Sequence, residues 1–333
     1  MIRLHLNENT AGPSPAVLDA VRRLAASDLA SYAEDERTRR LCERHLGVDA
    51  GWVALTNGLD EGLYAAAYAG RLIDPDFEAI VVEPAFEMYA IAVAAAGGRQ
   101  ITVTPAADLR CSTEDVLHAV TTHTRVIYVC DPNNPTGLPL PEGAIERIAA
   151  AAPHALVLVD EAYADYSGRT FIGPRLDRSR NVVVGRTFAK AQGLAALRIG
   201  ALIAHPDALA PLRRVLPPYN VNVCAMVALE AALQDVAYTR ACVEASRQSR
   251  DLIYAWCAAR RLDYWPSEAN FVLIRVGSAV SALVRHVASR GILIRDRSKT
   301  PGCAGCIRIT ANRVDETRLV LQALEAFDAP LGG

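Results

Sequence analysis

Arg125-Val126-Ile127-Tyr128-Val129-Cys130-Asp131-Pro132-Asn133-Asn134-Pro135-Thr136-Gly137 and Ala155-Leu156-Val157-Leu158-Val159-Asp160-Glu161-Ala162-Tyr163 decide the reading of the fold. Each opens with a near-continuous apolar run, the pattern of a strand buried on both faces. Each then breaks abruptly into polar and turn-forming residues. Between them, Pro141–Ala152 has helical texture. A strand, a helix and a second strand in that order make a unit whose strands run parallel.

The same texture extends outward in both directions. Short β-branched runs recur at Val53–Thr56, Ala79–Glu83, Gln100–Thr104, Asn181–Arg186 and Ile199–Ala204, and Gly62–Arg71 and Phe86–Ala96 read as helices. With the opening pair this predicts an α/β fold, a mostly parallel seven-stranded sheet sandwiched by helices. Past residue 225 the pattern changes. One long helical stretch, Ala225 to Arg261, precedes three strand candidates at Asn270–Val276, Gly291–Arg295 and Cys306–Thr310, and a helix at Val314–Phe327. These predict a smaller α+β domain over 226–333, a large domain over 31–225, and an N-terminal segment 1–30, with a helix at Pro15–Ala26, that packs on the small domain.

Composition narrows the function classes. The 333 residues are 51% hydrophobic and 22% charged, which excludes disorder over most of the chain. Net charge is −2 with no polybasic stripe, so neither nucleic acid nor an anionic membrane surface is an expected partner. No apolar run approaches the roughly 18 residues of a membrane span, and the first residues lack a secretory pattern. A cytoplasmic location is expected. The eight cysteines are scattered, and Cys303-Ala304-Gly305-Cys306 has no second pair to complete a zinc site. Reduced, apolar cysteines and no metal are expected.

Open α/β sheets bind ligands beyond the carboxyl ends of their strands. There the chain places Thr56–Gly62, Glu83–Phe86, Asp131–Gly137, Asp160–Tyr163 and Arg186–Lys190. Lys190 follows a strand in small, apolar company, where desolvation lowers a lysine's pKa and makes it a nucleophile toward carbonyls. Asp160 ends an apolar strand and needs a partner. A lysine and a buried acid are the two groups required by pyridoxal phosphate, which joins a lysine through its aldehyde and holds a proton on its ring nitrogen. The strand-to-helix turn Gly58-Leu59-Asp60, with Thr187 and Arg198, could cradle the phosphate.

These blocks resemble the pyridoxal-phosphate-dependent aminotransferases of classes I and II, fold type I, and within them the histidinol-phosphate aminotransferases. The likeness runs in order through Leu6-Asn7-Glu8-Asn9, Thr56–Gly62, Pro84–Tyr89, Pro132–Gly137, Val159–Tyr163, Thr187–Gly200, Pro218–Asn222, Asn270–Val272 and Gly291–Asp296 to Cys306–Thr310. It implies pyridoxal 5'-phosphate as cofactor, with Lys190 as its Schiff-base lysine and proton shuttle, and Asp160 as partner of the ring nitrogen. It implies that Asn134 and Tyr163 bond the ring's phenolic oxygen. Phe86 would stack on the ring, with Tyr89 the competitor. Gly58, Leu59, Asp60, Thr187 and Arg198 would hold the phosphate. Tyr32 would reach the cofactor of a neighbouring subunit, which implies a homodimer. Arg308 would bind the substrate carboxylate and Arg295 a substrate phosphate, with Asn9 and Asn270 as further substrate-side residues. Ala189, Gln192, Thr10 and Leu59 depart from the family's usual residues.

The implied reaction exchanges an amino group between a small-molecule donor and a 2-oxo acid, with histidinol phosphate and 2-oxoglutarate as the leading pair, in histidine biosynthesis. The same fold also serves aromatic and broad-range aminotransferases and an amino-acid-phosphate decarboxylase of cobalamin biosynthesis. A non-catalytic cofactor-binding regulator is the remaining alternative.

Overall fold

In the computed structural model, which describes residues 1–332, strand alternation explains why the runs are apolar throughout. Successive residues point to opposite faces of a sheet. Val157 and Val159 join one hydrophobic cluster with Ile127, Val129, Val182 and Val184. Leu158 joins the cluster on the other face with Val126, Tyr128 and Val183. Helices cover both clusters, so neither face tolerates a polar residue.

Among the described residues twelve strands run in chain order: β1 Ile2–Leu4, β2 Val53–Thr56, β3 Glu78–Val82, β4 Arg99–Val103, β5 Thr124–Cys130, β6 Leu156–Asp160, β7 Val182–Thr187, β8 Gly200–Ile203, β9 Tyr264–Trp265, β10 Phe271–Arg275, β11 Ile292–Asp296 and β12 Cys306–Thr310. The seven runs expected from the sequence form one sheet in the order β2-β8-β7-β6-β5-β3-β4. All neighbours in it are parallel except those of β8, which runs against both β2 and β7. The carboxyl ends of β5, β6 and β7 therefore lie side by side, with Cys130 opposite Asp160 and Asp160 opposite Gly185.

The second sheet has five strands in the order β1-β11-β12-β10-β9. One face packs Ile292, Ile294, Ile307 and Ile309 against Ile253, Trp256 and Val320 of the helices Val236–Arg260 and Val314–Glu325. The other face turns Phe271 toward Tyr163 and Ala191 beside the large sheet. Neither β1 nor β9 is evident from the sequence, because two or three residues carry no readable period.

Two elements differ from expectation. The single helix expected over Ala225 to Arg261 is two, Val223–Gln234 and Val236–Arg260. Asp235 separates them and caps the second by accepting from the Tyr238 N–H at 3.2 Å. The N-terminal segment also divides. Its strand β1 pairs in parallel with β11 of the small sheet. Its helix, Pro15–Arg22, instead buries Val17 in the large sheet's core with Ala225 and Met226 of the helix Val223–Gln234. Val17 is its one fully buried side chain, and an apolar partner for it exists on that side.

Candidate active site

The residues between β1 and the first helix cross from one sheet to the other and tie them together. The Leu6 carbonyl accepts from Lys190 Nζ at 3.2 Å, and the His5 carbonyl accepts from Arg308 at 3.0 Å. Asn7 holds a left-handed backbone, φ 56°, donates its side-chain amide to the Tyr163 hydroxyl at 2.9 Å, and donates its N–H to Thr310 at 3.0 Å. Beneath this strap, at the carboxyl ends of β5, β6 and β7, lies a cavity of about 250 Å³.

Asp160 forms its floor. The carboxylate is buried, with Oδ2 accepting from the Tyr89 hydroxyl at 2.6 Å and Oδ1 from the Ala162 N–H at 3.0 Å. Burial raises its pKa to about 6 against the opposing pull of those two hydrogen bonds. Lys190 stands on the loop after β7. Burial, reinforced by the Arg308 charge, lowers its pKa to about 8. Both groups thus titrate near neutrality, which is characteristic of sites that move protons.

The expected phosphate cradle has the geometry of an anion site. Gly58 opens the helix Gly58–Ile73 with φ +72°, and a Cβ there would sit 2.7 Å from the Arg198 guanidinium. Only glycine admits that guanidinium. Arg198 is held by Asp60 at 2.6 Å and shares the cavity wall with Leu59, Asp60 and Thr187. The first N–H groups of a helix lack intrahelical partners, and the Arg198 guanidinium lies beside this helix start, an arrangement that favours an anion. Leu59 departs from the usual residue by packing; a Cβ on Gly185 would meet it at 2.6 Å.

Phe86 and Tyr89 divide their expected roles. Phe86 lines the cavity. Tyr89 is fully buried, stacks on Tyr128 with ring centroids 5.2 Å apart, and holds Asp160 from beneath.

The opposite wall comes from the small sheet. Arg295 on β11 and Arg308 on β12 are direct cross-strand neighbours. Alternation sends Ile294, Ile307 and Ile309 into the core and these two guanidiniums toward the cavity. Arg308 is buried, donates to Asn134 Oδ1, and lies over the Phe271 ring at 5.2 Å. Burial lowers its pKa to about 10.

Three expected site residues lie elsewhere. Asn9 spends its amide on the Ala191 carbonyl at 3.0 Å and its oxygen on the Ala11 N–H at 3.1 Å. Asn270 is fully buried and donates to the Asn7 carbonyl at 3.1 Å. Both order the strap rather than line the cavity. Tyr32 is 82% exposed and stacks on Tyr219 at 4.8 Å, away from its own chain's cavity. Conversely, Asn7, Glu87 and Arg297 line the cavity without having been singled out. The alternation that selects Arg295 also selects Arg297, two positions on. No local signal marks Asn7.

A family model described as aminotransferase class I and II matches residues 1–325. A histidinol-phosphate aminotransferase of Geobacillus sp. (strain WCH70) is 34% identical over 97% of this chain and 89% of its own length. One from Archaeoglobus fulgidus, histidinol-phosphate aminotransferase 1, is 34% identical over 98% of both chains. The solved structure of the Sinorhizobium meliloti histidinol-phosphate aminotransferase, in complex with pyridoxal-5'-phosphate, superposes with a TM-score of 0.82 at 30% identity, covering 97% of this chain and 89% of that one. A family model that spans residues 1–325, and relatives 34% identical over nearly the whole chain, place this protein in the class I and II aminotransferase family.

Proposed function

We propose that this protein is a pyridoxal-phosphate-dependent aminotransferase that exchanges an amino group between L-histidinol phosphate and 2-oxoglutarate, giving imidazole-acetol phosphate and glutamate. The observation that carries the substrate is the Arg295–Arg308 cross-strand pair on the wall facing Lys190. Like charges directly opposite on neighbouring strands repel, and an anionic substrate relieves that repulsion. The similarity to named histidinol-phosphate aminotransferases supports the same reading.

The residues fit the cofactor. Gly58, Leu59 and Asp60 would offer backbone N–H groups to its phosphate, Thr187 a hydroxyl and Arg198 a guanidinium. Phe86 would cover the ring. Asn134 has its side-chain oxygen engaged by Arg308, which leaves its NH2 to donate. Tyr163 accepts from Asn7, which leaves its own hydroxyl proton to donate. Two donors so placed suit a phenolic oxygen. When bound, pyridoxal phosphate supplies an electron sink for the charge that develops at the substrate's Cα.

The chain does the rest. Asp160, ionised above about pH 6, holds the ring-nitrogen proton in place. Lys190 takes and returns the proton at the substrate's Cα, and a pKa near 8 keeps it poised for both directions. Arg308 binds the glutamate carboxylate and, with Arg295, the substrate phosphate. Their planar forks match both anions. The strap through Leu6 and Asn7 shields the cavity from water. The protein acts as a homodimer in which Tyr32 serves the partner's cofactor, and its exposure suits that role. Its place of work is the cytoplasm, and none of its described helices is long and apolar enough to cross a membrane.

A panel of amino donors, read by the absorbance of the bound cofactor, tests the assignment. Histidinol phosphate should exceed aromatic amino acids in kcat/KM. A preference for an ordinary aromatic amino acid would replace it with a broad-range aminotransferase. Lys190→Ala should abolish turnover, and borohydride reduction should then leave no cofactor on the peptide that carries position 190.

A further inference from the structure

Arg297 is a third guanidinium on the same wall, and no role for it follows from the reaction described above. It lies one residue beyond β11, where its N–H continues the ladder by donating to the Cys306 carbonyl at 3.0 Å. Its side chain therefore faces the same way as that of Arg295, two positions earlier. It is 4% exposed, and its Nε has no partner among the described residues. Burying a guanidinium is costly unless a counter-charge meets it.

Glu87 is that counter-charge. Its Oε1 accepts from Arg297 at 2.8 Å and lies 3.7 Å from the Arg295 guanidinium. The Glu87 side chain is half exposed to the cavity, beside Phe86. Burial pushes its carboxyl upward, but Arg297 and Arg295 outweigh that and hold it below its ordinary range, so it is ionised at neutral pH. Three guanidiniums and one carboxylate leave two net positive charges on the wall.

We propose that Arg297 and Glu87 set the charge of this wall, so that it selects a dianionic phosphate monoester over a singly charged carboxylate. Arg297 acts through Glu87. By holding that carboxylate at 2.8 Å it leaves Arg295 at 3.7 Å, beyond hydrogen-bond distance, so the donors of Arg295 remain for the substrate. A phosphate monoester carries close to two negative charges at neutral pH, its second pKa being about 6, whereas a carboxylate carries one. Arg297 is thus a positioning residue for specificity. The inference rests on the phosphate-substrate reading, and its test separates the two.

The test compares wild type, Arg297→Gln, Glu87→Gln and the double variant, each loaded with cofactor. Two quantities are read: kcat/KM for histidinol phosphate and for unphosphorylated histidinol, and competitive inhibition by inorganic phosphate against the best amino donor of the panel. Arg297→Gln frees Glu87 to pair with Arg295. It should raise KM for histidinol phosphate about tenfold, change histidinol several times less, and weaken phosphate inhibition by a similar factor. Glu87→Gln adds a net positive charge and should strengthen phosphate inhibition about threefold to tenfold. The double variant restores two net charges and should recover most of what Arg297→Gln loses, a recovery that a purely structural role for Arg297 does not produce. Equal losses on both substrates, or a double variant no better than Arg297→Gln, overturn the proposal. Should Arg297→Gln fail to fold, Glu87→Gln decides alone, and unchanged or weaker phosphate inhibition overturns it. If wild type shows no preference for histidinol phosphate while phosphate inhibition follows the expected order, the substrate assignment fails and the charge-setting pair stands.

Discussion

The Tyr89 hydroxyl donates to Asp160 Oδ2 at 2.6 Å across 71 positions of sequence. Among the described residues it is the one side-chain donor that reaches the buried carboxylate, and it favours the ionised form, the form that would hold the proposed cofactor's ring proton. Tyr89→Phe removes it. Hydrogen bonds to charged groups contribute about 1.5–3 kcal/mol, which corresponds to about one to two pH units. The Asp160 carboxyl should therefore rise above its present value of about 6. Uptake of pyridoxal phosphate by stripped protein should fall off as pH drops through about 6 in wild type, and at least one unit higher in the variant. The folded-state pKa lies above the ordinary 3.8, so the folded protein keeps a proton that the unfolded chain has lost. This carboxyl's contribution to stability is then fully present below about pH 4, is lost as pH rises to about 6, and is flat above. In Tyr89→Phe the loss should continue to higher pH. An acid limb of cofactor uptake that coincides with wild type would contradict the assignment.

Arg308 acts on Lys190 through its charge. After burial, its positive charge is the largest cause of the lowered lysine pKa. Arg308→Gln should raise that pKa above about 8, leaving less free amine at neutral pH. The rate at which stripped protein captures pyridoxal phosphate should rise with pH and level off near 8 in wild type, and at higher pH in the variant. An identical profile would show that burial alone sets the lysine.

Gly58→Ala tests the phosphate cradle. The added Cβ would lie 2.7 Å from Arg198 in a backbone of φ +72°, so both the guanidinium and the turn must shift. Cofactor affinity should fall about tenfold to a hundredfold, the size of one lost charge-assisted hydrogen bond. Gly143 is the control. It has the same φ of +72° with nothing within 4 Å of a built Cβ. Gly143→Ala should cost about 1–2 kcal/mol of stability through backbone strain and leave cofactor affinity intact. Equal cofactor losses in the two variants, measured by equilibrium titration, would place the effect in the backbone.

Tyr32 should complement across subunits. Tyr32→Ala and Lys190→Ala homodimers should each be weakly active or inactive. Mixed under conditions of subunit exchange, they should regain activity, because half of the sites in a heterodimer combine an intact Lys190 with an intact Tyr32. The gain should approach one intact site per heterodimer. A fully active monomer in sedimentation would refute the arrangement.

Much of this protein is written locally. A strand buried on both faces needs an unbroken apolar run, and the seven runs of the large sheet are legible for that reason, β2 to the residue. Strands end where polarity returns, so Asp160, Thr187 and Lys190 were readable as ligand-edge residues, and the glycine of the Asn57-Gly58 turn as the start of a cradle. What tertiary structure decided is pairing. The donor to Asp160 comes from Tyr89, two strands away, because the sheet order places β3 beside β5 and β5 beside β6. Arg295 and Arg308 face each other because of an antiparallel register that twelve intervening residues leave open. Asn9 and Asn270 have the chemistry of substrate ligands, yet the strap that joins the two sheets needs their hydrogen bonds, and buried backbone carbonyls and N–H groups must be satisfied. A side chain's type and period follow from neighbours a few positions away, whereas its partner follows from which elements the packing of two cores brings together.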